Sequence, residues 1–274
     1  NANIRITIAK IKFNDNGINE SQNFCSKRNY NLKLKLNFEL AIVTAIAYFA
    51  IKLILMNSSL FYSLLKKKFP FEPTYKQDIF FQKIAIFLTE TENNTIFVLK
   101  GYAGTGKTTV ISTIVNNLIE INKKYVLLAP TGRAAKVIAN YSNKPAFTIH
   151  KKIYFPKKSS GGGVSFTLQP NKHKNTIFIV DEASMISDAN SDSKLYENGS
   201  LLDDLISYVY SGTNCKMILL GDTAQLPPVN LDISPALDTH TLAVHYDKEI
   251  ESIELDEVMR QEESSGILFN ATEL

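Results

Sequence analysis

Short apolar runs alternate with segments of helical periodicity between residues 95 and 260, and this alternation organises most of the chain. Strands that alternate with helices are typical of βαβ units and a parallel sheet. The pattern therefore predicts an α/β fold with a mostly parallel central sheet flanked by helices. Continuous apolar runs, expected where both faces of a sheet are covered, predict four strands: Thr95 to Lys100, Tyr125 to Ala129, Thr176 to Asp181 and Lys216 to Gly221.

Three segments between these strands carry helical patterns. The clearest extends from about Lys107 to Ile121, where six apolar residues form one stripe along a helix. Residues 132–140 and 201–210 predict two more helices. Residues 154–168 contain three consecutive glycines and predict a flexible hairpin or loop.

The two ends of the chain differ from this organised part. Residues 1–55 begin with Asn and lack turn-bounded periodicity, which indicates a poorly structured or non-native extension. Residues 56–94 predict a helical segment that leads into a single α/β lobe at 95–274. The lobe stops within a new amphipathic segment, so we expect a truncated chain. Leu40 to Ile51 is almost wholly apolar, but it is shorter than the roughly 20 residues that cross a bilayer, and no stable membrane association is expected.

Composition narrows the class of protein only slightly. A hydrophobic content of 45% with 9 prolines is typical of a globular, core-forming protein. The formal charge of +3 favours an anionic partner mildly. Cys25 and Cys215 lie far apart with no partner at metal-ligand spacing, so neither a disulfide framework nor a zinc site is predicted. Both indicate free thiols in a reducing compartment, and the expected location is cytoplasmic.

The strongest chemical signal is the string GYAGTGKTT at residues 101–109, between the first predicted strand and the first predicted helix. It fits G-x-x-x-x-G-K-[ST], in which glycines let backbone N–H groups surround a phosphate at a helix N-terminus. Lys107 is expected to bridge the β- and γ-phosphates, and Thr108 to offer its hydroxyl to Mg²⁺. An accidental glycine-rich turn is disfavoured by the strand and helix around it. The predicted ATP-binding residues here are Gly101, Tyr102, Ala103, Gly104, Thr105, Gly106, Lys107, Thr108 and Thr109.

Two further strands end in residues suited to phosphate chemistry. Asp181 and Glu182 follow the third strand. Asp181 is expected to hold Mg²⁺ through its water shell, and Glu182 to orient or deprotonate the attacking water. Gln225 follows the fourth strand in the string GDTAQLPPV, and it can donate to a γ-phosphate oxygen while accepting from that water. Each pattern alone also fits a solvated loop, whereas together with the P-loop they predict a nucleotide-hydrolysing site.

These motifs, with APTGRAAK at 129–136, TIHK at 148–151 and VMRQ at 258–261, resemble the RecD-like branch of superfamily 1 helicases over residues 71–274. The resemblance implies a RecA-like first lobe of a DNA helicase that uses ATP and Mg²⁺ and moves 5′ to 3′ on single-stranded DNA. The chain leaves no room for the later motifs of a second RecA-like lobe. Without that lobe we expect nucleotide binding, slow hydrolysis and little unwinding.

The resemblance also implies roles for two residues outside the P-loop. Gln77 matches a glutamine that reads the adenine edge, with Gln82 as the rival. Arg260 matches an arginine that reaches the γ-phosphate and stabilises developing charge. A surface ion pair with Glu257 or Glu262 is the alternative for Arg260.

A third set of residues falls in segments that contact single-stranded DNA in the resembled family. Small residues, hydroxyls and cations that follow a strand can bind phosphates without reading bases. A solvated cation is the alternative for the arginine of this set, and a packed side chain is the alternative for its histidine. The predicted nucleic-acid contacts are Thr131, Arg133, Lys136, Thr148 and His150.

Two other classes of function compete with a helicase. A P-loop kinase or other phosphotransferase would need a second substrate pocket and a basic lid, and neither is evident in the sequence. A non-catalytic ATP- or DNA-binding module would bind its ligands without turnover stimulated by DNA.

Overall fold

The computed structural model describes residues 39–40, 42–44, 57–92, 94–158, 164–186, 198–222, 224–225 and 234–257. The chain divides into two compact units, Asn1–Leu53 and Ile54–Leu274. In the first unit, the described residues 39–40 and 42–44 are helical and exposed. The strands and helices that follow belong to the second unit.

The second unit begins with helix α1, which contains residues 57–68. The later helices are α2 (Tyr75–Thr89), α3 (Lys107–Asn117), α4 (Gly132–Ser142), α5 (Ile149–Ile153), α6 (Leu201–Tyr210) and α7 (Thr239–Tyr246). Short 3₁₀ turns occupy Leu118–Ile121 and Ala183–Met185. The strands are β1 (Thr95–Gly101), β2 (Lys124–Ala129), β3 (Ala146–Thr148), β4 (Tyr154–Lys158), β5 (Val164–Leu168), β6 (Thr176–Val180), β7 (Lys216–Gly221) and β8 (Glu249–Leu255).

Six of these strands form one sheet in the order β3-β2-β6-β7-β1-β8, and every neighbouring pair is parallel. The predicted α/β class with a mostly parallel sheet is therefore confirmed. Strand β7 lies between β1 and β6. Because the three strands are parallel, the loops that follow them share one edge of the sheet. Ligands of open α/β sheets bind outside this carboxyl edge.

Hydrophobic cores cover the two faces of the sheet. Successive strand residues face opposite ways, and accordingly Phe97 and Leu99 belong to one core while Ile96 and Val98 belong to the other. Helices α1, α2 and α3 pack into the first core, and α5 and α6 pack into the second. Burial of each large apolar side chain in these cores contributes about 1.5–3 kcal/mol to folding. The cores therefore hold in place the strands whose ends carry the motifs.

The predicted elements agree with the structure to within a few residues. The stripe at 107–121 is an α-helix to Asn117 that tightens into a 3₁₀ turn to Ile121. The segment 154–168 contains an antiparallel hairpin, with Tyr154 opposite Leu168. Strands β3 and β8 and helices α5 and α7 were not predicted. Among the residues that the structure describes, no helix is long and apolar enough to cross a membrane, and most of the apolar run at 40–51 lies outside them.

Candidate active site

The P-loop connects β1 to α3 at the carboxyl edge of the sheet. Gly104 and Gly106 have φ values of 79° and 82°, a left-handed conformation that favours glycine. Gly106 is also the N-cap of α3 and supplies no side-chain cap. The first turn of α3 therefore presents backbone N–H groups and the positive end of its dipole to the loop, as phosphate binding requires.

Lys107, at the start of α3, lies over the loop. Its Nζ donates hydrogen bonds to the carbonyl oxygens of Gly101 and Tyr102, at 2.6 and 2.8 Å. Burial lowers the pKa of Lys107, and this effect is opposed by the charges of Asp222, Glu182 and Asp181. These carboxylates follow two other strands, β7 and β6. The structure thus brings the P-loop lysine and the two predicted acids together at one edge.

Asp181 is the most perturbed carboxylate of the group. Burial, and then the neighbouring charge of Glu182, raises its pKa to about 6. The Glu182 N–H donates to Asp181 Oδ1 at 3.0 Å, and this bond and the charge of Lys107 act in the opposite direction. A carboxylate that is so poorly solvated gains strongly from a nearby cation.

Glu182 occupies an unusual backbone conformation. Its φ is 54°, in the left-handed region, where it serves as the N-cap of the Ala183–Met185 turn. For a residue other than glycine this conformation costs roughly 1–2 kcal/mol. Strain of this kind tends to be retained where it positions a functional group.

Gln225 is tied to the loop that follows β6. The Ser184 hydroxyl, which is 2% exposed, donates to Gln225 Oε1 at 3.1 Å. Gln225 itself is exposed. This bond joins the loop carrying Asp181 and Glu182 to the loop after β7, so the predicted phosphate-sensing amide lies beside the predicted acids.

Asp222 is a site residue to which sequence reasoning gave no role. It is only 6% exposed, and its Oδ1 accepts a hydrogen bond from the Ala224 N–H at 2.9 Å. Of the three carboxylates that act on Lys107, Asp222 has the largest effect. The signal was available, because Asp222 directly follows an apolar strand, but the sequence does not reveal that this strand lies between β1 and β6.

Oxygen ligands at the carboxyl edge of the sheet fit a divalent ion that is bound together with a nucleotide. Thr108 is half-buried beside Lys107, and Asp181 adds a carboxylate. Within the described part of the chain, no group of three or more His, Cys, Asp or Glu side chains is placed to hold a metal ion. Mg²⁺ commonly takes one or two protein oxygens and completes its shell with phosphates and water.

Gln77 lies beneath the P-loop and is fully buried. Its Nε2 donates to the Thr105 carbonyl oxygen at 3.0 Å, and its Oε1 accepts from the Thr74 N–H at 3.1 Å. An adenine contact would require the amide to exchange these partners, so adenine reading by Gln77 stays a prediction. Gln82 is exposed and donates to Asp78 at 2.9 Å.

Two of the predicted nucleic-acid contacts are helix N-caps. The Thr131 hydroxyl accepts from the Ala134 N–H at 3.2 Å and begins α4. Thr148 accepts from the Lys151 N–H at 3.3 Å and begins α5. Because β2 and β3 pair in register at Ala129 and Thr148, these caps are neighbours on the carboxyl edge.

The remaining predicted contacts differ in exposure. Arg133 and Lys136 are exposed on α4. His150 is half-buried with its ring 5.7 Å from that of Tyr154, and burial lowers its pKa. The packed alternative for His150 therefore has direct structural support. Arg260 lies outside the described residues.

A wholly parallel sheet, a glycine-rich phosphate loop and acids on the adjoining strand ends define a P-loop nucleotide-binding lobe with the RecA-like arrangement. The chain belongs to the AAA domain family, whose model matches residues 81–271.

Three relatives show the range of the similarity. An uncharacterized protein, R530, of Acanthamoeba polyphaga mimivirus is 31% identical over 207 residues, which cover 68% of this chain and 38% of that protein. The ATP-dependent RecD2 DNA helicase of Deinococcus radiodurans is 31% identical over 53% of this chain and 18% of its own length. The ATP-dependent DNA helicase dda of Enterobacteria phage T4 is 31% identical over 59% and 34%.

These similarities confirm the resemblance to RecD-like helicases that the motifs indicated. The chain spans less than two fifths of the length of each of these relatives.

Proposed function

We propose that this chain is the ATP-binding lobe of a DNA helicase, which couples Mg²⁺-dependent ATP hydrolysis to movement along single-stranded DNA in the 5′ to 3′ direction. The observation that carries the proposal is the convergence of Lys107 with Asp181, Glu182 and Asp222 at one sheet edge. The helicase class and its polarity rest on the similarity to RecD-like proteins.

The described residues of the site are proposed to have separate roles in hydrolysis. Lys107 exchanges the carbonyl oxygens of Gly101 and Tyr102 for phosphate oxygens, which satisfy its ammonium at least as well. Glu182 accepts the proton of the attacking water. Mg²⁺, held by Thr108 and Asp181, would neutralise charge on the phosphates.

Gln225 and Arg260 complete the proposed catalytic set. Gln225 contacts the γ-phosphate. Its hydrogen bond with Ser184 links the presence of that phosphate to the loop that follows β6. Arg260 stabilises the charge that develops on the γ-phosphate. Thr131, Arg133, Lys136, Thr148 and His150 are the proposed contacts of the DNA strand.

The test measures ATP binding and the single-turnover hydrolysis rate of the 274-residue chain, with and without single-stranded DNA. We expect Lys107→Ala to weaken ATP binding. We expect Glu182→Gln to retain ATP binding and to reduce the hydrolysis rate by about 10²- to 10⁴-fold, the usual contribution of a general base. Glu120→Gln, which changes an exposed carboxylate on the Leu118–Ile121 turn, is the matched control.

The outcomes separate the competing classes of function. Full turnover by Glu182→Gln would remove that residue from the catalytic role. Transfer of phosphate to a second substrate in place of water would identify a phosphotransferase. Tight ATP and DNA binding with no ATP hydrolysed in a single turnover would identify a non-catalytic binding module, whereas the proposed lobe should hydrolyse ATP slowly.

A further inference from the structure

A basic and aromatic pocket of about 440 Å³ lies away from the nucleotide site, between α5 and the segment that precedes β6. We call it the flank pocket and define it by the six lining residues that carry the argument: Phe147, Lys151, Lys152, Phe155, Lys172 and His173.

The flank pocket concentrates positive charge. Three lysines line it, and no Asp or Glu is among its lining residues. Among the residues that the structure describes, Lys151, Lys152 and Lys172 form no ion pair. Burial, and then the charges of Lys152 and Lys124, lower the pKa of His173. An anionic ligand would neutralise this unpaired positive charge.

Two aromatic rings accompany these cations. Phe155 is 54% exposed. Lys152 Nζ lies 5.5 Å from the centroid of the Phe147 ring. Lysines beside an exposed ring match the way proteins bind single-stranded nucleic acid, with cations along the phosphates and a ring stacked on a base. An acidic peptide would use the lysines and leave the ring unused.

The wall of the flank pocket is fixed before any ligand arrives. The Gln169 side chain donates to the Tyr154 carbonyl oxygen at 2.7 Å, and its backbone N–H donates to the Ile153 carbonyl oxygen at 2.7 Å. Asn171 donates to the Tyr208 carbonyl oxygen at 2.8 Å. A preformed wall reduces the ordering cost of binding.

The flank pocket adjoins one proposed DNA contact, because the Lys151 N–H donates to the Thr148 hydroxyl and Lys151 lines the pocket. Helix α5 begins at Thr148, a proposed DNA contact, and Lys151 and Lys152 follow within about one turn. A strand bound at Thr148 can therefore continue along α5 into the pocket.

We propose that the flank pocket is a second contact site for single-stranded nucleic acid, in which Lys152 and Lys172 bind phosphates and Phe155 stacks on a base. The proposal deepens the proposed function and rests on it only for the identity of the polymer.

The experiment measures binding of a fluorescent oligothymidylate of about 16 nucleotides, the upper site size of one strand-binding module, to the 274-residue chain at several salt concentrations. Phe155→Ala should weaken binding by about fivefold to a hundredfold, the usual effect of losing one stacked base. Because the ring is uncharged, its loss should leave the salt dependence unchanged. Phe155→Tyr keeps a ring and should restore affinity.

The lysine variants, unlike the Phe155 variants, should change the salt dependence of binding. Lys152→Ala and Lys172→Ala should each reduce the slope of log affinity against log salt by about 0.7, the value for one lost phosphate contact on a single strand. Lys67→Ala, at an exposed lysine of α1, should change neither quantity. ATP binding and the melting temperature should match those of the parent chain in every variant.

Failure of this proposal can be told from failure of the proposed function. If the parent chain binds the oligonucleotide and the Phe155 and Lys172 variants bind it equally well, the flank pocket is not a contact site, while the helicase proposal stands. If the parent chain binds no oligonucleotide, both proposals fail. Equal affinity for an abasic strand or for inorganic polyphosphate would overturn the stacking role of Phe155.

Discussion

Gln77 is a residue whose distant neighbour the sequence could not identify. The resemblance to helicases assigns it to adenine, yet its amide holds the Thr105 carbonyl oxygen 28 positions downstream and the Thr74 N–H at the start of α2. A long-range partner of this kind leaves no local sequence signal. The contact joins α2 directly to the P-loop.

We predict that Gln77→Leu lowers the affinity for ATP and GTP to the same extent, because it loosens the P-loop that binds the phosphates of both. Leaving the Thr105 carbonyl oxygen buried without a donor should also lower the free energy of unfolding by about 1–3 kcal/mol. Nucleotide titrations and urea unfolding measure these effects, and Glu120→Gln, at an exposed position outside the site, is the control. A loss of affinity confined to ATP would support adenine reading instead.

Lys216 is a fully buried cation at the amino end of β7. Its Nζ donates to the Phe87 carbonyl oxygen at 2.5 Å and lies 4.7 Å from the centroid of the Phe87 ring. Phe87 belongs to the last turn of α2, where carbonyl oxygens lack helical partners. Lys216 thus caps the carboxyl end of α2, and burial lowers its pKa to about 8.

This lowered pKa predicts that the protein becomes more stable with rising pH. Below pH 8 the lysine is charged in both the folded and unfolded states, so the cost of burying the charge is fully present. Between about pH 8 and 10.5 the unfolded chain holds more protons, and the free energy of unfolding should rise by about 1–2 kcal/mol. Urea unfolding measures the rise, which should be absent from Lys216→Met. Parallel pH profiles of the two proteins would contradict the prediction.

The elements of the sheet differ in how clearly the sequence shows them. Strands β1 and β7 are almost wholly buried, and their continuous apolar runs predict them closely. Strand β8 lies at the edge of the sheet, and its residues EIESIEL mix charged and apolar side chains. Only tertiary pairing with β1 makes it a strand. The hydrophobic pattern of the sequence therefore predicts the central strands β1 and β7 and does not predict the edge strand β8.

The pairing of β1 with β8 leads to a prediction for Gly101. A Cβ at this position would lie 2.8 Å from the Leu255 backbone oxygen. Gly101→Ala should force the strands apart and lower the free energy of unfolding by about 1–3 kcal/mol, as measured by urea unfolding. At Gly132, in the first turn of α4, a Cβ would meet nothing within 4 Å. Gly132→Ala should therefore be neutral or stabilising by up to about 1 kcal/mol. Equal effects at both glycines would contradict the steric explanation.

At the scale of the whole molecule, the sequence supplied the chemical groups of the candidate site, and the topology supplied their arrangement. The motifs identify Lys107, Asp181 and Glu182 by type and spacing. The position of β7 between β1 and β6 brings in Asp222, and no linear pattern reveals that order. The bond from the Lys76 N–H to Glu257 at 3.0 Å, which links α2 to the chain after β8, is equally invisible in the sequence.

The division into two units predicts that residues 54–274 fold without the first unit. Among the described residues, the members of both hydrophobic cores lie between Phe61 and Leu255. We expect removal of residues 1–53 to shift the melting temperature by less than about 2 °C. A chain that begins at residue 71 also loses the buried Phe61 and Leu65 of α1 and should be destabilised by several kcal/mol, roughly 2–5 for each side chain. A large loss of melting temperature in the first variant would show that the first unit contributes to the core.

The partners of β1 have a consequence for biosynthesis. Strand β1 ends at Gly101, whereas its neighbours β7 and β8 begin only at Lys216 and Glu249. At a ribosomal rate of about 5–20 residues per second, the roughly 115 residues from Gly101 to Lys216 take about 6–23 seconds to synthesise, and until then neither edge of the apolar β1 segment can pair. The nascent chain therefore exposes an aggregation-prone strand through much of translation, and chaperones that shield such segments would act in that interval.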